Sequence, residues 1–364
     1  MVDHHTSLAK RHLVSWGTGT RHRQAADAEP AARPGALTVV LEDAGLLPAV
    51  LGGDLAGPHS LVLAPGVASS PLEGPEPGSP VVVGYEGSAA QPGDELSIGD
   101  SFFLQTQEYS ASQFMSVIGP TLIRVFDGSD FAAYLADADR ARAEGVFPAF
   151  ATDPVIRLAD LPSLGASPAA DGPATRLYAD ADGTVSTAPG GAALGSAGDA
   201  FADLLGVWER VNKDSAHPCA VGLGATVPEA ERCASLAERP WLGRYLAALD
   251  ALRELRARDV SHLRVSGFGG RLSETAEPVA EAADAHGTEL PLLLWNEQGA
   301  YVHSTPTGRF FQIGTDAARI AETVLACGDA ETAAERVDAA ALAKVTAFFE
   351  RAGVPLTGRT EAAR

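Results

Sequence analysis

The residues with the clearest capacity for metal binding are His217, Cys219 and Cys233, which lie near one another in the chain. A structural zinc site needs four ligands in a tetrahedral arrangement, and neither a further thiol nor a second nearby histidine completes this set. A polar N-terminal segment contains further histidines that also lack the spacing of a Cys/His site, namely His4, His5, His12 and His22. The sequence therefore predicts no metal centre.

Two glycine-containing segments have residue types that could hold an ion or a phosphate. Asp180 and Asp182 begin an Asp-x-Asp-Gly sequence like that of a calcium loop, but the later ligands of such a loop are missing. We therefore predict a turn between two strands there. The segment Ser266–Gly270 could present backbone amides to a phosphate. It lacks the Lys-Ser/Thr pair of a P-loop, and a strand-to-helix turn that needs positive φ explains its glycines equally well.

The sequence contains none of the motifs that identify a self-sufficient active site. A GxSxG elbow, an HExxH pair, a CxxC pair and a P-loop are all absent, and His262, His286 and His303 have no partner recognisable by spacing. Catalytic residues can nevertheless assemble from distant parts of a chain. We predict no catalytic residue and no cofactor, and we carry forward two hypotheses: a binding protein and an enzyme.

The chain of 364 residues is acidic, with 27 Lys and Arg against 47 Asp and Glu and a formal net charge of −20. Proteins bind nucleic-acid phosphates through Lys and Arg, so this charge argues against a nucleic-acid partner. No stretch is long and apolar enough to span a bilayer, no apolar signal core begins the chain, and three cysteines fit a reducing compartment. We expect a cytoplasmic protein without a membrane partner.

The length of the chain predicts more than one domain, in the α+β or α/β class. Residues 1–35 are polar and are predicted to be flexible, although Ser7–Trp16 has enough apolar residues to dock on the body as a strand. Residues 36–162 contain near-continuous apolar runs that suit strands buried on both faces, and we predict an α/β domain there.

The middle of the chain is predicted to form a separate region. Ser163–Pro173 is rich in Ser, Ala, Pro and Gly and is predicted to be a linker. Residues 174–289 are predicted to form a second α/β or helical region, in which a helix runs from about Thr275 to His286.

Residues 290–357 have the most regular pattern. Three apolar or aromatic runs separated by polar turns with glycine predict antiparallel strands at Leu292–Trp295, Ala300–Ser304 and Arg309–Ile313. The period of the apolar residues then changes from two to about 3.6, which predicts three helices. The first has Thr315 as its predicted cap, and the last has Asp338.

This βββααα order resembles the RiPP recognition element, a small winged-helix domain typified by the peptide chaperone of pyrroloquinoline quinone biosynthesis. The residues that carry the resemblance are "GAYVHSTPTGRFFQI", "GTDAARIAETVLACGDAETAAE" and "ALAKVTAFFERAGV". In that family a leader peptide adds as a strand beside the third strand and places its side chains against the third helix. The resemblance therefore implies a C-terminal winged helix that binds a peptide. With the chain length and the apolar runs before it, the sequence predicts a multidomain protein whose N-terminal region has a mixed sheet.

The resemblance also implies which residues touch the peptide. On the strand they are Arg309, Phe310, Phe311, Gln312 and Ile313, and on the last helix they are Leu342, Lys344, Val345, Thr346 and Phe349. Because side chains alternate along a strand, we expect Phe311 and Ile313 to face the helices. Lys344 and Arg351 could attract an acidic leader residue or could simply form a solvated face.

The whole chain is similar to the RiPP recognition proteins of daptide biosynthesis in actinobacteria. This similarity is carried by "PVVVGYEGS", "FFLQTQEYSASQFMSVIGPTLIRVFD" and "RLYADADGTVSTAPGG", together with the C-terminal element. That family works beside a dehydrogenase-like oxidative decarboxylase, an aminotransferase and a methyltransferase, which convert the C-terminal threonine of a precursor peptide to an amine. The resemblance implies that this protein presents the leader to the oxidative decarboxylase. The alternative is that residues 37–290 are themselves catalytic.

Overall fold

The computed structural model describes residues 2–21, 35–72, 78–100, 102–168, 171–273 and 282–357. It shows a mixed α/β protein with a large mixed sheet and a second, antiparallel sheet. The chain divides into two compact parts, which we call unit 1 (Met1–Tyr134 and Val155–Glu238) and unit 2 (Leu135–Pro154 and Arg239–Arg364). Among the described residues, no helix has both the length and the apolar character needed to cross a membrane.

Unit 1 is built on the large mixed sheet. Its strands are β1 (Ala36–Leu41), β2 (Ala56–Pro65), β3 (Val81–Gly87), β4 (Glu95–Ile98), β5 (Phe102–Glu108), β6 (Thr121–Arg124), β7 (Ile156–Leu158), β8 (Arg176–Ala179), β9 (Thr184–Ser186) and β10 (Gly195–Ser196). They pair in the order β10-β9-β8-β1-β2-β3-β4-β5-β6-β7. Strands β8, β1, β2 and β3 are parallel, as are β5, β6 and β7, whereas β4 and β9 run antiparallel to their neighbours.

The helices of this part of the chain are α1 (Val2–Thr18), α2 (Leu47–Gly52), α3 (Gly128–Glu144), α4 (Phe201–Lys213) and α5 (Glu229–Glu238). The division between the units falls within α3, after Tyr134. On one face of the sheet, the apolar core includes Val39, Val62 and Leu177 from the strands together with Phe201 and Leu204 from α4.

Helix α1 packs on the other face of the sheet. Ala9, Leu13 and Trp16 are fully buried and share a core with apolar side chains of the strands. The indole Nε1 of Trp16 donates a hydrogen bond to the carbonyl oxygen of Leu177 at 3.1 Å. The prediction of a strand at Ser7–Trp16 is wrong, because its buried residues recur every three to four positions, which is the period of a helix. The predicted flexible segment is thus helical from Val2 to Thr18, and residues 22–34 of it lie outside the described residues.

The structure joins two regions that the sequence predicted to be separate. Strand β8, from the predicted region 174–289, pairs in parallel with β1, from the predicted domain 36–162. Within the predicted linker, Ser163 is fully buried and its hydroxyl donates to the carbonyl oxygen of Cys219 at 2.9 Å. The composition of Ser163–Pro173 therefore does not mark a boundary between domains.

A buried network of charges holds the turn after β7 in unit 1. Asp160, which has a left-handed backbone with φ of 53°, accepts hydrogen bonds from Arg124 at 2.8 Å and from Arg176 at 2.6 Å. Arg176 also binds Asp171, and its Nη1 donates to the carbonyl oxygen of Trp16. Burial lowers the pKa of Arg124, with partial opposition from Asp160. Burial alone would lower the pKa of Arg176 as well, but Asp171 and Asp160 outweigh it and the pKa is raised.

Unit 2 contains the antiparallel sheet. After α6 (Leu242–Arg256), its elements are β11 (Arg264–Val265), β12 (Leu292–Asn296), β13 (Gly299–Ser304), β14 (Arg309–Ile313), α7 (Thr315–Cys327), α8 (Ala330–Ala334) and α9 (Ala339–Arg351). The strand order is β11-β12-β13-β14. The predicted order of three strands and three helices from residue 290 is confirmed at the level of these elements, and β11 adds a strand at the far edge.

Local signals at the helix ends agree with the chemistry of capping. Asp338 caps α9 by accepting a hydrogen bond from the amide of Ala341 at 2.9 Å, as predicted. Helix α7 ends at Cys327, and Gly328 caps it with a left-handed backbone, φ of 81°. Thr315 is the first residue of α7 and Gly314 occupies the cap position, so the predicted Thr315 cap is displaced by one residue.

A buried polar network connects α7 to the segment after β11. The carboxylate of Glu322, which is fully buried, accepts hydrogen bonds from the Ser266 hydroxyl at 2.5 Å and from the amides of Leu272 and Ser273 at 2.9 Å and 2.6 Å. Burial raises the pKa of Glu322, with opposition from these hydrogen bonds. Of the helix predicted at Thr275–His286, residues 275–281 lie outside the described residues and Ala283–Ala285 form a 3-10 turn.

Replacing Glu322 with glutamine is expected to change the pH dependence of unfolding. A carboxyl whose pKa is raised in the folded protein stabilises the fold below its unfolded pKa of about 4.3, and this stabilisation is lost as the pH rises through the folded pKa. We therefore expect the unfolding free energy of the wild type, relative to Glu322→Gln, to fall as the pH rises from about 4 to 8. Urea unfolding across this range measures it, with the exposed Glu331→Gln as control. A relative stability that rises with pH would contradict the prediction.

Candidate functional site

Strand β14 is an open edge of the antiparallel sheet. It pairs with β13 in a regular register that runs from Ala300 opposite Ile313 to Ser304 opposite Arg309. Among the described residues, β14 has no strand on its other side. An edge of this kind presents unpaired backbone amides and carbonyls, which are the groups that another extended chain can pair with.

The side chains of β14 alternate between the two faces of the sheet. Phe311 and Ile313 pack against the core of unit 2, which includes Leu342 and Phe349. This confirms the prediction that Phe311 and Ile313 face the helices. On the opposite face, the ring of Phe310 stacks on the ring of His303 with centroids 4.3 Å apart.

The groove between β14 and α9 is lined by aromatic rings. The ring of Phe311 lies edge-on to Phe348 and Phe349, with centroids 6.2 Å and 5.9 Å away. Phe349 is 1% exposed and belongs to the floor, whereas Phe348 is 43% exposed and stands as a wall. Edge-to-face contacts hold Phe348 beside Phe311 and Phe349, and the exposed part of Phe348 is available for contact with another apolar group.

Arg309 occupies one end of this groove. Its Nη1 donates a hydrogen bond to the carbonyl oxygen of Ala352 at 2.8 Å, and its guanidinium lies 5.0 Å from the centre of the Phe311 ring. The first contact places positive charge at the C-terminus of α9, where the helix dipole favours it. Arg309 thus links the edge strand to the end of the helix, a role that the sequence did not indicate.

The remaining residues predicted to touch a peptide lie along the same groove or on its rim. Leu342 is buried in the floor and Val345 is half-buried against the core. The Thr346 hydroxyl donates to the carbonyl oxygen of Leu342 at 2.9 Å, so its one proton is used within the helix and its oxygen can still accept. Lys344, Arg351 and Gln312 are exposed, and whether they contact a peptide stays a prediction.

Phe348 is the groove residue that the sequence analysis missed. The resemblance places Leu342, Lys344, Val345, Thr346 and Phe349 of the last helix among the peptide contacts and leaves Phe348 out. Neighbouring residues on a helix point about 100° apart, and in α9 Phe349 points into the core while Phe348 lies at its margin. The sequence alone does not assign the accessible ring, because Val324 and Leu325, which are adjacent on α7, are both buried in the same core.

The other segments singled out in the sequence have structural roles. Asp180 accepts hydrogen bonds from the amides of Asp182 and Thr184, which confirms the predicted turn between β8 and β9. Within Ser266–Gly270, the amides of residues 267, 268 and 269 donate to carbonyl oxygens of the protein. A β-carbon at Gly269 would clash with the backbone nitrogen of Gly145, so close approach explains this glycine.

The cysteines do not gather into a larger set of ligands. Cys219 is buried, and the thiol of Cys233 donates to the carboxylate of Glu229 at 3.0 Å. Within the described ranges, no group of three or more His, Cys, Asp or Glu is arranged to hold a metal ion.

A separate cavity of about 700 Å³ lies at the opposite edge of the antiparallel sheet. It is lined by His262 in the segment before β11, by Arg264 in β11, by Trp295 at the end of β12 and by the turn after β12. The guanidinium of Arg264 lies over the Trp295 ring at 5.3 Å, so the main cationic group of this cavity already has a partner. The cavity is open to solvent. None of the residues that line it also lines the β14–α9 groove.

The β14–α9 groove therefore combines an open backbone edge, a rigid aromatic wall and an arginine at one end. Such an arrangement can bind an extended polypeptide through its backbone and select among its side chains. The chain matches no known family model, no curated protein and no solved structure.

Proposed function

We propose that the groove between β14 and α9 binds the leader segment of a precursor peptide, and that the protein presents this peptide to a modifying enzyme. The observation that carries the proposal is the position of Phe348, whose exposed ring stands beside the open edge of β14. The edge offers backbone hydrogen bonds to any extended chain, and the aromatic wall offers selectivity.

The order of three strands and three helices supports a winged-helix recognition element in residues 290–357. A leader peptide added to β14 would extend the sheet by one strand. Alternate side chains of the peptide would then lie over Phe311 and Phe348, while the others would point to the face that carries Phe310. Backbone pairing does not depend on the amino-acid sequence of the peptide. The peptide's apolar side chains would therefore set the specificity.

The enzyme that receives the peptide is proposed from the similarity of the whole sequence to daptide recognition proteins. On this basis the partner is a dehydrogenase-like oxidative decarboxylase, with an aminotransferase and a methyltransferase acting in the same pathway. The protein itself would act without a cofactor, by holding the leader while the partner oxidises the other end of the peptide.

A proline scan of a fluorescently labelled leader tests strand addition. We expect the unmodified leader to bind the full-length protein with a dissociation constant in the micromolar range or below, about 8 kcal/mol of binding free energy. Alternate residues of an added strand direct their amides toward the edge, so proline should weaken binding at every second position of the bound segment. Each such position should lose roughly 1 kcal/mol, or about fivefold in affinity, in fluorescence anisotropy.

Alanine substitutions at the same leader positions are the control. Alanine removes the side chain but keeps the backbone amide, so a loss of affinity seen with proline and not with alanine comes from the missing amide. A proline scan without any alternation would show that the peptide does not add as a strand to β14. Mass spectrometry of the precursor incubated with the protein alone tests the enzyme hypothesis, because a modified product would show that residues 37–290 are catalytic.

A further inference from the structure

Two arginine side chains converge on the glycine-rich turn Ser266–Gly270 in unit 2. A β-carbon built on Gly267 would lie 3.5 Å from Nη1 of Arg142 and 4.0 Å from Nη2 of Arg271. Because glycine has no side chain, this position stays open between the two guanidinium groups. The two groups therefore face the same small space beside the turn.

Arg142 is held at the turn by a carbonyl oxygen and two aromatic rings. Its Nη1 donates a hydrogen bond to the carbonyl oxygen of Gly267 at 2.7 Å, and its guanidinium lies 5.8 Å and 5.7 Å from the ring centres of Trp241 and Phe268. Among the described residues, no carboxylate forms an ion pair with Arg142. The guanidinium has five N–H donors, so most of them are left for another acceptor.

Arg271 and a third arginine, Arg244, lie around a single buried carboxylate. Nη1 and Nη2 of Arg271 donate to the two oxygens of Asp284 at 3.1 Å and 2.7 Å, and Asp284 is 2% exposed. The guanidinium of Arg244 is buried and donates to the carbonyl oxygens of residues 287, 290 and 291. We call Arg142, Arg244, Arg271 and Asp284 the arginine cluster.

The arginines of this cluster repel one another and share Asp284 as an anionic neighbour. Burial lowers the pKa of Arg142, while Asp284 opposes this change and Arg271 adds to it. The pKa of Arg244 is lowered to about 10 by burial, with opposition from Asp284 and further lowering by Arg271 and Arg142. All three side chains are still charged at neutral pH, so an additional anion would relieve their repulsion.

Two other carboxylates act on the cluster, but within the described ranges neither forms an ion pair with its arginines. Burial alone would lower the pKa of Arg271, but Asp284 and, more weakly, Glu322 raise it. Burial raises the pKa of Glu322 itself, which favours its neutral form. Glu289 acts on Arg244 from an exposed position, where water screens its charge.

We infer that Arg142 and Arg271 form a binding site for a phosphoryl group beside the Ser266–Gly270 turn. A phosphate dianion would bring two negative charges to two guanidinium groups that share one carboxylate, and its oxygens match the planar edge of each group. The amides of residues 267, 268 and 269 donate to carbonyl oxygens of the protein, so the arginine side chains would hold the ligand. The site shares no residue with the β14–α9 groove and stands apart from the proposed function.

Titration of the full-length protein with inorganic phosphate, followed by calorimetry at low ionic strength, tests the site. We expect saturable binding with a dissociation constant of about 1 mM or below. Arg142→Gln removes one positive charge and should raise this constant at least about tenfold, as expected for a lost charged hydrogen bond. The matched control is Arg140→Gln, which removes the same charge from the same helix at a position that is 59% exposed. It should change the constant by less than about twofold.

Phenylglyoxal, which modifies accessible guanidinium groups, locates the ligand in the unsubstituted protein. We expect mass spectrometry to show that phosphate protects the half-buried Arg142 from modification and leaves Arg140 unprotected. Four results would overturn the site. They are no saturation by about 10 mM phosphate, equal effects of the two substitutions, no modification of Arg142 in the absence of phosphate, and modification of Arg142 that phosphate does not reduce.

Phenyl phosphate and acetate identify the source and the class of the ligand. Trp241 borders Arg142, so tighter binding of phenyl phosphate than of inorganic phosphate would identify a phosphate monoester as the ligand. Equal or weaker binding of phenyl phosphate would identify free phosphate. Acetate has one negative charge and should bind at least about tenfold more weakly than phosphate. Acetate that bound as tightly as phosphate would overturn the assignment to a phosphoryl group.

Discussion

Replacing Asp160 with alanine is expected to lower the unfolding free energy of unit 1 by about 3–5 kcal/mol. The carboxylate of Asp160 accepts hydrogen bonds from both Arg124 and Arg176, and all three side chains are almost completely buried. Without it, Arg124 would keep its charge with no carboxylate bound to it. Arg176 would keep only Asp171 as an anionic partner.

Hydrogen exchange at the backbone amides of β8 measures this loss, because Arg176 begins that strand. The matched control is Asp139→Ala in unit 2, whose carboxylate binds Arg239 through two hydrogen bonds but is half-exposed. We expect that control to cost less than about 1 kcal/mol. Asp160→Asn keeps a side chain that tolerates the left-handed backbone and isolates the effect of the charge. Equal losses for Asp160→Ala and Asp139→Ala would contradict the role assigned to burial.

Replacing Phe348 with alanine is expected to weaken leader binding about tenfold while changing the unfolding free energy by less than about 1 kcal/mol. The ring is 43% exposed, so its removal creates little buried cavity, yet it forms the wall of the groove. Anisotropy with the labelled leader measures the first effect, and urea unfolding measures the second.

The neighbouring ring provides a matched control for the Phe348 substitution. Phe349→Ala deletes the same side chain from a position that is 1% exposed, and we expect a loss of about 3–5 kcal/mol in stability. If Phe348→Ala bound the leader as well as the wild type, the aromatic wall would have no part in peptide binding. If the two variants were equally destabilised, the division into wall and floor would be wrong.

The elements of unit 2 could be predicted from the sequence because their signals are local. The strands from Leu292 to Ile313 follow one another through short turns, and the spacing of apolar residues in α7 and α9 identifies their buried faces. Asp338 and Gly328 mark helix ends through the geometry of their own backbone. The face of the sheet on which Phe311 lies follows from simple alternation.

The arrangement of unit 1 could not be predicted because its pairings connect distant parts of the chain. Strand β1 pairs with β8, so Val39 lies opposite Leu177, and no short-range pattern records this register. The prediction of a linker between them followed from composition alone, which measures the absence of regular structure. The error at α1 had a different cause, since the period of Ala9, Leu13 and Trp16 was available in the sequence.

The side-chain contacts of the groove could also be predicted only in part. Alternation placed Phe311 correctly, but the bond from Arg309 to the carbonyl of Ala352 depends on how the end of α9 approaches the strand. That approach is set by tertiary packing rather than by either element alone. The exposure of Phe348 depends on the same packing, because adjacent helix residues can both be buried, as Val324 and Leu325 are on α7.

The burial of α1 has a consequence for the order in which the chain acquires its structure. Trp16 and its acceptor at Leu177 are separated by 161 positions, so α1 leaves the ribosome long before β8 exists. At a synthesis rate of roughly 5–20 residues per second, the helix waits on the order of 10–30 seconds for this strand. During that time the ring of Trp16 has no final binding surface, and unit 1 can close only after β8 emerges. We expect nascent chains truncated before residue 176 to be protease-sensitive and to depend on chaperones, in contrast to the completed protein.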